Sequence, residues 1–222
     1  MLRNEKMGNY NYILFDLDGT LTDSAEGIIN SVLYALHKNG IDEQDREKLT
    51  AFVGPPLGES FQKYYGMAPE EAVRMIGVYR EYFSTKGWCE NRVYDGIPEV
   101  LEQLQRAGKH LVVATSKPEV FAVKIMEHFG LEKYFEIIRG SSLDGKISKK
   151  GQVIQCVIDQ IGEEHLGEMV MVGDREHDVI GAREHGLPCV GVLYGYGSRE
   201  ELESAGAARI CPDVESLISI LC

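Results

Sequence analysis

The sequence lacks closely spaced cysteine pairs, an apolar run long enough to span a bilayer, and a share of basic residues that would match its acidic ones. Its five cysteines are scattered singly over 222 residues, which predicts neither a disulfide framework nor a zinc site and favours a reducing, cytoplasmic setting. Residues 1–12 are polar where a secretory signal would be apolar, so no leader is expected, and Met7 offers an internal translation start that would leave the fold intact.

The shortage of basic residues leaves a formal net charge of -12, from 23 Lys and Arg against 35 Asp and Glu. Such a chain repels polyanions, so we expect neither nucleic acid nor an anionic membrane as a partner. A small anionic substrate would need a bound cation or a local basic cluster to attract it. Hydrophobic and charged fractions of 44% and 26% are typical of a globular protein that holds one large domain or a main domain with an insertion.

Short apolar runs alternate with helical patterns along most of the chain. These runs contain no alternating polar residues, which is typical of strands in a parallel sheet covered on both faces. They are residues 12–15, 111–114, 137–138, 169–172, 189–193 and 209–211. Three helical stripes between them end at Gly108, Gly130 and Gly162, and a last stripe covers 214–221. This order predicts an α/β fold with a doubly wound parallel sheet.

Residues 23–92 interrupt this alternation, because the pattern there is helical throughout and contains no convincing strand. The segment separates the first apolar run from all the others. We interpret it as an all-helical cap domain, inserted into an α/β core that comprises residues 1–22 and 93–222.

Two carboxylates, Asp16 and Asp18, follow the first apolar run in the motif Asp-Leu-Asp-Gly-Thr. Residues two apart on an extended chain point to the same side, and Gly19 allows a sharp turn directly after them. In open parallel sheets, ligands bind at this end of the strands. Asp and Gly also favour solvated turns, but their position directly after an apolar strand favours a functional site.

A second acidic pair, Asp174 and Asp178, follows the run 169–172, with Asp178 in the first turn of a helix that begins near Arg175. Capping and the helix dipole alone would account for Asp178, yet two such clusters at two strand ends favour a joint site. Brought to about 4 Å at an effective dielectric near 20, each pair of like charges costs on the order of 4 kcal/mol. A divalent cation relieves this repulsion, and ligands that are all oxygen atoms favour Mg²⁺ over zinc.

Hydroxyl and ammonium groups follow two further strands. Residues 115–118 read Thr-Ser-Lys-Pro at the start of a helix, and Lys149 and Lys150 precede another helix. Helix N-termini bind phosphate oxygens. Thr-Ser before proline is also a common helix cap, and loop lysines are usually solvated, but their placement beside the acidic motifs favours phosphate binding.

These four elements, in this order, resemble the haloacid dehalogenase-like hydrolase superfamily over nearly the whole chain, and the first motif resembles its phosphatase signature. The resemblance implies that Asp16 is a nucleophile that forms an aspartyl-phosphate. It implies that Asp18 protonates the leaving group and then activates water. Mg²⁺ would be held by Asp16, the backbone carbonyl of Asp18 and Asp174, with Asp178 supporting these ligands.

The same resemblance assigns Thr115 to the second motif and either Lys149 or Lys150 to the third. Spacing does not separate the two lysines, and Lys150 is preferred because it is nearer the following helix. The expected phosphate-binding residues are therefore Thr115, Ser116 and Lys150.

Residues 22–24, 53–57 and 115–118 are similar to the phosphoglycolate phosphatase-like branch, whose cap is helical. This implies a magnesium-dependent phosphomonoesterase for a small phosphorylated metabolite, with phosphoglycolate as the first candidate and nucleoside monophosphates as the alternative. A β-phosphoglucomutase-like enzyme is disfavoured because the histidine and arginine that bind its sugar phosphate are missing. An inactive binding module is disfavoured because every catalytic residue type is present. Monomer and homodimer both remain open.

Overall fold

The computed structural model describes residues 10–222, and their strands and helices follow the predicted alternation. The strands are β1 (Tyr12–Phe15), β2 (Thr22–Asp23), β3 (Arg92–Val93), β4 (His110–Pro118), β5 (Ile137–Ser141), β6 (Met169–Gly173), β7 (Cys189–Val192) and β8 (Arg209–Cys211). The α-helices are α1 (Ala25–Lys38), α2 (Leu57–Tyr65), α3 (Pro69–Tyr82), α4 (Ile97–Arg106), α5 (Glu119–His128), α6 (Lys150–Ile161), α7 (Glu176–Glu184), α8 (Arg199–Ala205) and α9 (Ser216–Leu221). The expectations about a leader and about Met7 concern residues outside this range.

Six of these strands form one parallel sheet in the order β5-β4-β1-β6-β7-β8. Both faces of the sheet are buried, and alternate residues of a strand pack into different apolar clusters. Phe15 and Val172 belong to one apolar cluster, while Leu14 and Met171 belong to the cluster on the other face. The prediction of a doubly wound α/β fold is therefore confirmed. Of the helices, α8 was not predicted, because its seven residues are too few to show a helical period.

Helices α1 to α3 form a separate helical layer, joined by a 3₁₀ turn at Lys48–Phe52 and followed by a π-helical turn at Phe83–Gly87. The layer has an apolar core of its own, which includes Val32, Phe61 and Met75. The predicted helical cap is thus present in the structure.

The cap is joined to the core by a two-stranded antiparallel ribbon, in which Thr22 of β2 pairs with Val93 of β3 and Asp23 pairs with Arg92. An ion pair of 2.6 Å between Arg92 and Asp23 links the same strands. The prediction that residues 23–92 contain no strand is therefore wrong at both ends, because strands of two residues leave no periodic signal. We keep 23–92 as the proposed extent of the cap.

The carboxyl ends of β1, β4 and β6 meet in the middle of the sheet. Phe15, the last residue of β1, is in register with Val113 of β4 and Val172 of β6. Asp16 follows directly, and its backbone N–H donates a hydrogen bond of 2.9 Å to the Val172 carbonyl. Residues that follow these three strands consequently share one edge of the sheet, beside the point where the chain enters the cap.

Within residues 10–222, no helix combines the length and the apolar character that a bilayer crossing requires.

Candidate active site

Lys150 lies between two carboxylates. Its ammonium group is 2.7 Å from Asp16 Oδ1 and 2.8 Å from Asp178 Oδ1, and it donates a hydrogen bond of 2.9 Å to the Ala114 carbonyl. Burial alone would lower the pKa of Lys150, but the charges of Asp16 and Asp178 raise it, so the ammonium is charged. Lys149, the alternative at the sequence level, is exposed. The geometry therefore favours Lys150 as the basic partner of Asp16.

Asp174 is the third buried carboxylate of this site. Its Oδ1 accepts a hydrogen bond of 3.3 Å from the Thr20 hydroxyl, and its Oδ2 accepts one of 2.8 Å from the backbone N–H of Tyr196. Burial, followed by the charges of Asp178 and Asp16, raises the pKa of Asp174 well above its ordinary value. The carboxylate is thus held in place by two donors but has no cation paired with it in any described contact.

Asp174 is enclosed by glycines. A Cβ on Gly195 would lie 2.4 Å from Asp174 Cβ, and one on Gly197 would lie 1.9 Å from the Asp174 carbonyl oxygen. Gly19, at φ 84°, would place a Cβ 2.2 Å from Asp174 Oδ2. Only glycine permits these close approaches. The Gly-Tyr-Gly segment at 195–197 was not among the predicted site residues, although its position after an apolar strand is a signal in the sequence.

The three carboxylates, Asp16, Asp174 and Asp178, converge on one point, with an oxygen of each within 4.8 Å of the others. The Oδ1 atoms of Asp16 and Asp178 are buried and accept no hydrogen bond of good geometry, in spite of their proximity to Lys150. Three carboxylates and one ammonium leave two negative charges, which one divalent cation would neutralise. Oxygen donors of this kind suit a hard cation. The cluster therefore fits a metal ion such as Mg²⁺.

Asp18 contacts a different lysine. Lys117 Nζ is 2.9 Å from Asp18 Oδ2, and the two residues are only 8% and 6% exposed. Asp18 Oδ1 is buried and has no hydrogen-bond partner among residues 10–222. Lys117 was predicted only as an ammonium group after the second strand of the sheet, and nothing in the sequence indicated Asp18 as its partner.

Thr115 and Ser116 lie at the same edge of the sheet. Thr115 is buried in β4, and its hydroxyl accepts a hydrogen bond of 3.3 Å from the backbone N–H of Lys117. Ser116 is half-buried and lines the cleft described next. Their position two and three residues beyond Val113 places both beside the residues that follow β1.

A cleft of about 320 Å³ opens between cap and core, with Asp18 and Lys117 among the residues that line it. Its apolar and aromatic side chains include Ile28, Phe52, Leu57, Ile76, Tyr79, Phe83 and Phe121. Arg80 also lines the cleft, and its guanidinium donates to the Leu143 carbonyl at 3.4 Å. The cleft therefore suits a ligand with a polar end at Asp18 and a flat or apolar body.

Two side chains tie the cap to this site. Arg175, the residue after Asp174, donates a hydrogen bond of 2.7 Å to the Val53 carbonyl in the cap. The Tyr196 hydroxyl donates one of 2.5 Å to Asp23 Oδ1 and accepts one of 3.0 Å from the backbone N–H of Ala25. Arg175 is adjacent to Asp174 and Tyr196 contacts it, so hydrogen bonds connect the cap with the residues beside the acidic cluster.

The profile of the haloacid dehalogenase-like hydrolase family matches residues 13–192. The chain belongs to this family, and within it the chain is a phosphatase, a hydrolase of phosphoric monoesters.

Similar proteins carry several names. A 5'-nucleotidase of Pseudomonas aeruginosa is 47% identical over 214 residues, which cover 96% of each chain. The tyrosine-protein kinase PtkA of Mycobacterium tuberculosis is 44% identical over 89% of this chain and 67% of its own. The crystal structure of a predicted phosphatase from Clostridium acetobutylicum superposes with a TM-score of 0.91 at 52% identity, covering 95% of this chain and 97% of its own. Phosphoglycolate phosphatases are among the more distant relatives.

Proposed function

We propose that the protein is a magnesium-dependent phosphomonoesterase that hydrolyses nucleoside monophosphates through a phosphorylated Asp16. The observation that carries this proposal is the convergence of Asp16, Asp174, Asp178 and Lys150 at the edge of a cleft with aromatic walls. The acidic cluster supports the chemistry, and the walls support the substrate class.

In the proposed reaction, a carboxylate oxygen of Asp16 attacks phosphorus while the ester P–O bond breaks. Lys150 pairs with Asp16 at 2.7 Å and, with the Thr115 and Ser116 hydroxyls, binds the phosphate oxygens. Asp18 donates its proton to the departing alcohol. In the second half, Asp18 takes a proton from water, which attacks phosphorus and releases inorganic phosphate from Asp16.

Magnesium would be held by Asp16, the backbone carbonyl of Asp18 and Asp174, with Asp178 supporting these ligands. When bound, it supplies positive charge that neutralises the carboxylates and the phosphate. This charge also explains how a chain with a net charge of -12 attracts an anion.

The cleft favours nucleoside monophosphates over phosphoglycolate. Its volume of about 320 Å³ lies at the lower end of the range of about 300–1,000 Å³ found for sites that enclose a small organic ligand. A planar base can pack against Phe83 and Phe121, whereas phosphoglycolate has no ring or apolar body to bury against these side chains. The relative named 5'-nucleotidase supports the same choice. Phosphoglycolate, which the sequence resemblance favoured, becomes the alternative substrate.

A panel assay of phosphate release tests the proposal, with 5'-nucleoside monophosphates, 2-phosphoglycolate and sugar phosphates as substrates. We expect the highest kcat/KM for a nucleoside monophosphate and no turnover in EDTA. Ile76→Ala, which cuts back the cleft wall, should lower kcat/KM for the nucleotide more than for 2-phosphoglycolate. Val73→Ala is the matched control, because Val73 lies on the same helix and is 68% exposed. A preference for 2-phosphoglycolate would overturn the substrate class, and full activity in EDTA would overturn the metal.

We further propose a cytoplasmic setting, which the five unpaired cysteines support. The proposed partner is a small phosphate ester. Sedimentation analysis would decide between monomer and homodimer.

A further inference from the structure

We infer that Lys117 is a positioning residue, which orients the Asp18 carboxyl group so that Oδ1 faces the leaving oxygen of the ester. The inference rests on the proposed function, in which Asp18 is the proton donor. It concerns a residue to which the sequence motifs gave no role beyond a charge after the second strand of the sheet.

The two carboxyl oxygens of Asp18 have different surroundings. Oδ2 is 2.9 Å from the Lys117 ammonium, whereas Oδ1 is buried without a hydrogen-bond partner among residues 10–222. A lysine ammonium carries three donors and no acceptor. Its contact with Oδ2 therefore fixes the rotation of the carboxyl group and leaves Oδ1 as the oxygen without a protein donor. Lys117 thus decides which oxygen of Asp18 is available to the leaving group.

Lys117 is itself held by contacts with the core and with the cap. It belongs to β4, next to the central strand β1, and its backbone N–H donates to the Thr115 hydroxyl at 3.3 Å. Its Nζ lies 4.6 Å from the centroid of the Phe83 ring, a cation–π contact. The ammonium is therefore fixed from the core by its strand and from the cap by an aromatic ring.

Phe83 connects the Lys117–Asp18 contact with the cap. Phe83 begins the π-helical turn at the end of α3 and packs against Tyr79, with ring centroids 5.3 Å apart, and against Phe121 of the core at 5.1 Å. The Phe83 ring covers the Lys117 ammonium and limits the directions in which the lysine side chain can point. The orientation of the Asp18 carboxyl group therefore depends on a side chain of the cap.

The chain offers a matched control. Lys124 on α5 makes the same kind of contact with Trp88, at 3.8 Å from Nζ to a ring centroid, and neither residue lines the cleft at Asp18. Removing the Lys124 ammonium therefore disrupts a lysine–aromatic contact without altering the environment of the proton donor.

The test is the single-turnover release of phenols from aryl phosphates whose leaving groups range from p-nitrophenol to unsubstituted phenol. A good leaving group needs little protonation, whereas a poor one depends on the acid. Since a general acid contributes about 10²-fold or more, we expect Lys117→Met to release p-nitrophenol at a rate within about tenfold of the wild type and phenol about 10²-fold more slowly. The plot of rate against leaving-group pKa should therefore be steeper in the variant than in the wild type.

Further variants complete the design. Lys117→Arg should restore most of the wild-type slope, Phe83→Leu should give an intermediate slope, and Lys124→Met should leave it unchanged. An equal loss for every leaving group, or a rise in KM alone, would overturn the inference, because a structural or phosphate-binding role gives those results. If Lys117→Met does not fold, as judged by circular dichroism, the Phe83→Leu and Lys117→Arg slopes decide. If the wild type releases no phenol from any ester, the proposed function fails instead.

Discussion

Replacing Asp174 by asparagine should stabilise the metal-free protein and remove its stabilisation by magnesium. Asp174 is fully buried, and one of its oxygens lies within 4.8 Å of oxygens of Asp16 and Asp178. An asparagine fits the same contacts, because its carbonyl can accept from the Tyr196 backbone and its amide can donate to the Thr20 hydroxyl. The substitution therefore removes a charge and no hydrogen bond.

The size of the effect follows from the geometry of the cluster. At 4.8 Å and an effective dielectric near 20, each like-charge pair costs about 3 kcal/mol. The Lys150 ammonium offsets part of this repulsion, and so does proton uptake by Asp174. We therefore expect a net gain of about 1–3 kcal/mol in the free energy of unfolding. For a chain of this length, each kcal/mol raises Tm by about 2–4 °C.

The gain should depend on pH in a defined direction. Burial, followed by the charges of Asp178 and Asp16, raises the pKa of Asp174 above its ordinary value of 3.8. Between that value and the raised one, the folded state binds more protons than the unfolded state, so stability falls as pH rises. The advantage of Asp174→Asn should consequently be small near pH 3.8 and should grow as the pH is raised.

Thermal unfolding in EDTA and in Mg²⁺ measures both effects. At a magnesium concentration of about 100 times Kd, the wild type should gain about 2.7 kcal/mol, whereas the variant should gain far less. Asp159→Asn is the control, since Asp159 is an exposed carboxylate outside the cluster and its loss should change neither quantity. The reasoning is refuted if Asp174→Asn is less stable than the wild type in EDTA, or if Mg²⁺ stabilises both proteins equally.

Three further substitutions address the other parts of the site. Asp16→Asn should abolish steady-state phosphate release while circular dichroism shows a folded protein, because an amide is a poor nucleophile; residual turnover would contradict the proposed role. Lys150→Met should lower the free energy of unfolding of the metal-free protein by about 3–5 kcal/mol, because two buried carboxylates lose their cation. Urea unfolding measures this loss, and a loss below about 1 kcal/mol, the size typical of an exposed ion pair, would contradict the expectation. Tyr196→Phe removes the phenol hydrogen bonds at the cap boundary and should cost about 1–3 kcal/mol. Because its backbone N–H to the acidic cluster remains, calorimetric Mg²⁺ affinity should not change, and a large loss of affinity would count against that interpretation.

The order of the elements and the edge of the sheet that carries the site follow from the sequence alone. The uninterrupted apolar run 12–15 coincides with β1, because such a run is a local property of the chain, and the short segment 209–211 coincides with β8. Acidic motifs directly after two such runs had to meet at one edge, since the carboxyl ends of parallel strands lie together. The convergence of Asp16 and Asp174 was therefore predictable without any knowledge of side-chain packing.

The partners of these carboxylates were decided only by the tertiary structure. Lys149 and Lys150 are neighbours with the same local sequence signal, and the orientation of α6 against the sheet directs one ammonium to Asp16 and leaves the other exposed. The pairing of Lys117 with Asp18 spans β1 and β4 in the same way. The aromatic wall of the cleft comes from segments of cap and core far apart in the chain. Side-chain direction and the seating of the cap depend on packing between distant segments, which no local pattern records.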